Sequence, residues 1–214
     1  MRLLDLFCGA GGAAMGYRQA GFVDIVGVDI APQPHYPFTF IQGDALTSPV
    51  DLGDFDLIHA SPPCQHFTRY RNHVTDITDR YENLLPETVD LLASYPHVIE
   101  NLRGTPMRGD IELCGSMFGL DVRRHRWFQT SFPLLSSPCN HSIWTRQFKA
   151  STNRKNLRYT IEVGSWDEPL ERQCQAMGVD WPITVRELSE AIPPAYTRFI
   201  GEQFLSQHAT ADNG

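Results

Sequence analysis

The sequence predicts an α/β chain built on a doubly wound, mostly parallel sheet. Two observations carry that expectation. Short apolar runs of strand length alternate with stretches whose apolar residues recur at helical spacing. A glycine-rich turn, Gly9 to Gly12, joins the first strand to the first helix. In chain order, Arg2 to Phe7 reads as a buried strand, and Ala13 to Ala20 as an amphipathic helix ended by Gly21. Asp24 to Asp29, Phe38 to Gln42 and Phe55 to His59 read as the next three strands. Tyr81 to Ser94 has helical periodicity and precedes a fifth strand, Val98 to Glu100. Trp127 to Phe132 is a candidate further strand. In such a sheet the ligand belongs at the carboxyl ends of the strands.

From Pro133 to Ser165 the periodicity dissolves into Ser, Pro, Asn and basic residues, which reads as a small insert of short strands and loops. Val185 to Ala191 and Tyr196 to Leu205 read as helices split by Pro193-Pro194, because proline cannot continue a helix. A main domain is therefore expected at residues 1–130 and 180–206. Residues 131–179 form the insert, and 207–214 a flexible tail.

Composition narrows the class. At 42% hydrophobic and 20% charged over 214 residues, the chain can bury a core as one domain with a small appendage. No apolar run reaches the length of a membrane span, and the start lacks the zones of a signal peptide. Five cysteines, odd in number and scattered, argue for reduced thiols in a cytoplasmic compartment. A monomer is expected. The net charge is −7, yet Arg123, Arg124, Arg126, Arg146, Lys149, Arg154, Lys155 and Arg158 lie in a stretch with no acid, leaving the rest at −15. A basic stretch on an acidic body suits a localised phosphate-binding surface. A solvated polar segment would look the same.

The glycine turn follows a strand and opens a helix, so its backbone can approach a ligand closely and its free N–H groups can meet it. Asp29 ends the second strand, placed for ribose hydroxyls, and Asp44 ends the third, placed for an exocyclic amine. Gly9, Gly11 and Ala14 satisfy the dinucleotide pattern, so the turn alone leaves a nicotinamide cofactor and S-adenosylmethionine both open. The absence of a basic residue for a ribose phosphate favours an adenosyl ligand. The fourth strand runs into Ser61-Pro62-Pro63-Cys64-Gln65, where two prolines fix the backbone before the thiol. Glu100-Asn101 ends the fifth strand at the same edge, and Arg124-His125-Arg126 follows.

Four motifs in this order (Asp5 to Gly12, Pro63-Cys64-Gln65, Glu100-Asn101 and Arg124-His125-Arg126) resemble those of the cytosine-C5 DNA methyltransferases, in a compact, phage-like form. The resemblance spans Arg2 to about Phe128 and Val185 to Gly201. It implies a Rossmann-like class I methyltransferase fold, S-adenosylmethionine as cofactor and double-stranded DNA as partner. By resemblance, Cys64 adds to cytosine C6 and Glu100 holds N3 and the exocyclic amine. Arg126 holds O2 and favours the Cys64 thiolate, Asn101 braces the loop, and Arg124 supports Arg126 or meets a phosphate. The target base is flipped out first. Phe7 stacks on the adenine, Gly9 and Gly11 admit the methionine portion, and Ala10, Gly12, Ile30, Ala45, Ser61, Pro62 and Ala191 complete the cofactor contacts with Asp29 and Asp44. Gln65 joins Arg146, Lys149, Arg154, Lys155 and Arg158 in the expected DNA contacts.

The chain departs from the family at three places. Glu190 stands where an asparagine is usual and is expected to pair with the cofactor's α-ammonium. His66 follows Cys64-Gln65 where a small residue or proline is usual. The stretch after Arg126 is far shorter than a typical recognition domain, so a short recognition sequence and a viral or mobile-element setting are expected. Trp144, Phe148 and Tyr159 interleave with the basic residues there and can support splayed bases, whereas Trp166 is expected to pack in a small core. Cys8 and Cys114 read as core residues. Cys139 and His141 have metal-ligand chemistry but no partners at a zinc spacing, so no metal is expected. A transfer-RNA methyltransferase and an inactive binding module remain alternatives.

Overall fold

The computed structural model describes residues 1–67, 82–142, 144–146 and 158–209. Seven strands form one sheet: β1 (Arg2–Leu6), β2 (Asp24–Asp29), β3 (Thr39–Gln42), β4 (Leu57–Ala60), β5 (His97–Asn101), β6 (Ile111–Leu113) and β7 (Arg126–Thr130). Their order is β3-β2-β1-β4-β5-β7-β6. The first five are parallel, while β7 runs antiparallel to both β5 and β6. This is the expected mostly parallel doubly wound sheet. The winding reverses between β1 and β4, where such folds open their ligand crevice.

Among the described residues, five α-helices accompany the sheet: α1 (Gly12–Ala20), α2 (Leu85–Leu92), α3 (Leu170–Met177), α4 (Val185–Glu190) and α5 (Pro194–Ala209). The central strands are buried on both faces, with Leu3, Leu4, Leu6, Leu57, Ile58, Val98 and Ile99 fully enclosed. Each such side chain stabilises the fold by about 1.5–3 kcal/mol. One core cluster packs β1, α1 and α5 through Leu3, Tyr17, Phe22, Ile200 and Phe204. A second lies on the opposite face under α2. Gly16 lets α1 meet α5, because a Cβ there would strike Thr197 Oγ1 and the Pro194 carbonyl.

Several expectations need correction. β6 and α3 were not anticipated. The helix expected from Tyr81 begins at Leu85, with Pro86 in its first turn, and Tyr81 itself lies outside the described residues. α5 continues through Gln207, His208 and Ala209, so the expected tail is helical at its start. Trp166 is 91% exposed rather than packed in a small core. Within 131–179, β8 (Trp144–Arg146) and β9 (Arg158–Thr160) form a parallel pair. α3 joins a third core cluster with Ala10, Val122 and Leu188, which ties residues 170–177 to the main sheet's own loops.

Candidate active site

The chain leaves β1 through two consecutive irregularities. Phe7 takes the left-handed conformation (φ 56), rare for a residue with a side chain, and Gly9 follows with φ 48. The turn closes by hydrogen bonds from Cys8 N to the Val28 carbonyl and from Gly11 N to the Cys8 carbonyl. Asp29 fastens it from β2: one carboxylate oxygen accepts from Gly9 N at 3.0 Å, the other from Ala31 N at 3.0 Å. Nothing lies within 4 Å of where a Gly9 Cβ would stand, so the backbone there is open to a ligand. Gly11 and Gly12 are also packed tightly against the protein itself. A Cβ at Gly11 would meet Pro37 Cδ at 2.6 Å, and one at Gly12 the Ile192 carbonyl at 2.5 Å. Both glycines serve internal packing, and Gly11 caps α1 in the left-handed conformation.

A cavity of about 1200 Å³ opens beside this turn. That exceeds an ordinary small-molecule pocket and leaves room for a nucleoside cofactor and a base together. Of the residues expected to hold a cofactor, Phe7, Gly9, Ala10, Gly12, Asp29, Ile30, Asp44, Ala45, Ser61, Pro62, Glu190 and Ala191 line it; Gly11 does not. Asp44 follows β3 by two residues, and its carboxylate accepts from Leu46 N at 2.9 Å. Glu190 is half exposed at the rim, with Arg186 Nε 3.6 Å away, so an arginine already answers part of its charge.

Cys64, Gln65, Glu100, Arg124 and Arg126 line the same cavity. Arg126 Nε pairs with Glu100 Oε1 at 2.9 Å, and both side chains are nearly buried. Burial raises the Glu100 pKa, against the pull of Arg126, a Ser61 hydrogen bond and Arg124. The Cys64 thiol is also pushed up, first by burial and then by the Glu100 charge; Arg126 and Arg124 oppose this and lose. Arg126 does favour the thiolate, as expected, but burial and then the Glu100 charge outweigh it in the free protein. Arg124 does not reach outward for phosphate: its Nη2 donates to the Ser189 carbonyl, and burial with the Arg126 charge lowers its pKa to about 9. Asn101 Nδ2 donates to the Pro62 carbonyl at 3.0 Å, which anchors the loop carrying Cys64.

Further buried groups lie behind these residues. His59 is fully buried, its pKa lowered to about 3 by desolvation. The neutral ring bridges the Tyr17 hydroxyl at 3.1 Å and Ser61 Oγ at 3.0 Å, and Ser61 in turn bonds Glu100. A line of hydrogen bonds therefore runs from α1 to the Glu100 carboxyl. Asp5 is fully buried beneath the cavity; Tyr36 donates to one of its oxygens at 3.4 Å, and burial holds its pKa well above the usual carboxylate range. Asp5 and His59 are direct partners in the register of β1 with β4, a neighbourhood that a linear motif does not show. Cys139 and His141, expected to lack metal-binding partners, have them: Cys114 and His125 complete a cluster whose ligand atoms all lie within 4.8 Å of one another. Cys114 is buried as expected, but within that cluster.

Of the expected DNA contacts, Lys149, Arg154 and Lys155 lie outside the described residues, as does Phe148. Arg146 and Arg158 fall in β8 and β9, where the backbone alone is described. Among the described residues, no helix is long and apolar enough to cross a membrane.

A sequence model of C-5 cytosine-specific DNA methylases matches residues 1–104. The match takes in the glycine turn, the Pro-Cys-Gln run and Glu100-Asn101, and stops before Arg124. The Type II methyltransferase M.XorII of Xanthomonas oryzae pv. oryzae is 31% identical over 121 residues, 47% of this chain and 28% of that protein. M.AgeI of Thalassovita gelatinovora is 31% identical over 86 residues, 33% of this chain and 20% of that protein. The matched region is thus under a third of each relative's length. Among solved structures, a DNMT2 variant of Spodoptera frugiperda superposes with a TM-score of 0.62 at 13% identity, covering 95% of this chain and 99% of that one. A putative DNA modification methyltransferase of an Escherichia coli prophage gives 0.59 at 15% identity, covering 98% and 99%. At such identities the likeness is one of fold.

Proposed function

We propose, from the match of residues 1–104 to the C-5 cytosine-specific DNA methylases, that the chain methylates carbon 5 of a flipped-out cytosine in DNA. The observation that carries this reading is the meeting of Cys64 with the Glu100–Arg126 pair in one cavity with the Gly9–Asp29 turn. S-adenosylmethionine, when bound, supplies the electrophilic methyl group. The open backbone at Gly9 and the carboxylates of Asp29 and Asp44 fit its adenosyl and methionine portions, and Phe7 offers a ring face to the adenine.

Carbon 5 of cytosine is too weak a nucleophile unaided. Cys64 first gives up its proton to solvent water, and its sulfur forms a bond to C6 of the base, which pushes the ring electrons toward C5. Glu100 carries its proton toward N3 and accepts from the exocyclic amine, so the electron-rich ring is stabilised as it forms. The raised Glu100 pKa suits that duty, because a protonated carboxyl can donate. Arg126 steers Glu100 and meets O2 of the base. Once C5 carries its methyl group, a base, water by our reading, takes the C5 proton, the C5–C6 double bond re-forms and Cys64 leaves as the thiolate.

Duplex DNA containing 5-fluorocytosine tests this, since fluorine cannot leave as a proton and the adduct is trapped. With S-adenosylmethionine, the protein should form a denaturation-resistant complex with DNA that Cys64→Ser abolishes. Transfer RNA in a parallel arm should accept no methyl label. Failure of wild-type protein to trap DNA, or an adduct that survives Cys64→Ser, overturns the mechanism; label on transfer RNA alone overturns the substrate.

A further inference from the structure

We propose that Cys114, His125, Cys139 and His141 bind one zinc ion as a closed, structural Cys2His2 site. Cys114 directly follows β6 and His125 directly precedes β7, so the antiparallel pairing of Leu113 with Arg126 brings them side by side. Cys139 and His141 come from the irregular stretch beyond β7, which returns to the same place. His141 Nε2 lies 3.3 Å from Cys114 Sγ, and His125 Nε2 lies 3.4 Å from Cys139 Sγ. Zinc bonds of ~2.3 Å to sulfur and ~2.0–2.1 Å to nitrogen set tetrahedral edges of roughly 3.3–3.8 Å. Both separations fall within that range.

The donor set and its surroundings agree. Two thiolates and two imidazoles suit a borderline-soft divalent ion and leave no position open for substrate, which marks a structural rather than a catalytic site. Ser116 Oγ donates to Cys114 Sγ at 3.4 Å, as an outer hydrogen bond to a metal thiolate does. Glu112 Oε1 lies 3.8 Å from His125 Nε2, while its other oxygen accepts from Trp127 Nε1 at 2.9 Å and pairs with Arg103 Nε at 3.2 Å. Without metal, the cluster would be two thiol–imidazole contacts, each worth little in a half-exposed setting. The consequence for the fold is specific. The metal would fasten the Cys139–His141 stretch, where the insert begins, to the strand that carries Arg126.

The full-length chain, purified and treated with zinc chloride, should carry one zinc per chain after desalting, measured by inductively coupled plasma mass spectrometry. Cobalt(II) in its place should give tetrahedral ligand-field bands with sulfur-to-cobalt charge-transfer absorption. The double variant Cys139→Ala/His141→Ala should lose both signals, whereas Cys174→Ser should keep them. Wild-type protein that holds no zinc, or cobalt without the thiolate absorption, overturns the site whether or not the variant folds. So does a double variant that binds with unchanged stoichiometry.

Discussion

Cys64 sits among charges that disagree about its proton. Burial and Glu100 hold the thiol protonated, and Arg126 is engaged by Glu100. A carboxyl that aids the chemistry therefore hinders the nucleophile until the base arrives. Glu100→Gln separates the two effects. It removes the second largest cause of the raised Cys64 pKa and releases Arg126, so the thiolate fraction at pH 8 rises. Iodoacetamide should then label Cys64 several-fold faster, read by peptide mass spectrometry, while methyl transfer falls by roughly 10²–10⁴-fold. In wild type the labelling rate should climb as pH rises, because the raised thiol pKa leaves the reactive form scarce near neutrality. Faster methyl transfer in the variant, or unchanged labelling, would contradict this account. Cys64, Glu100 and Arg126 can be proposed from the sequence because each lies in a short motif at or beyond the end of a strand. The state of the thiol cannot be, since it depends on distances between segments far apart in the chain.

At the scale of elements, the sheet was readable where strands are apolar and long enough to show a pattern. β6 escaped notice because it has three residues between Gly109 and Gly115, too few for a period. α3 escaped because its buried face includes Gln173, a polar residue that periodicity counts as exposed. Its amide is nonetheless satisfied, donating to the Ser165 and Glu168 carbonyls and accepting from Gly164 N. The contact between α1 and α5 was also hidden. Gly16 reads in sequence as a weak spot in a helix, yet the structure needs it bare. Gly16→Leu should cost about 1–3 kcal/mol or more through overpacking against backbone that cannot yield. Urea denaturation should show a lower midpoint with an unchanged slope. A stability equal to wild type would mean that α5 packs elsewhere in solution. Because α5 follows directly on Ala191 and Ile192, which border the cavity, loosening it should also weaken cofactor binding.

At the scale of the whole molecule, the proposed DNA substrate raises the question of how a chain of net −7 would hold a polyanion. Of the eight cations between Arg123 and Arg158, Arg124 and Arg126 turn into the cavity. Of the other six, the five beyond β7 (Arg146, Lys149, Arg154, Lys155 and Arg158) are the phosphate contacts proposed here, on a body whose acidic remainder would repel DNA. The fold comparisons cover nearly the whole chain while the family match ends at residue 104, so the later stretch keeps a topology without keeping the sequence. That is why the proposed DNA contacts were the least legible: binding through phosphates asks for charge and reach, not for a fixed motif. Each phosphate neutralised releases counterions and contributes roughly −0.9 to the slope of log K against log salt. Five contacts predict a slope near about −4.5 for non-specific duplex DNA, measured by fluorescence anisotropy between low and moderate salt. Replacing Lys149, Arg154 and Lys155 with alanine should reduce its magnitude by roughly 3 and weaken all DNA sequences alike. An unchanged slope in the triple variant would move the phosphate contacts to another face of the molecule, whereas a loss confined to one sequence would make these residues readers of bases instead.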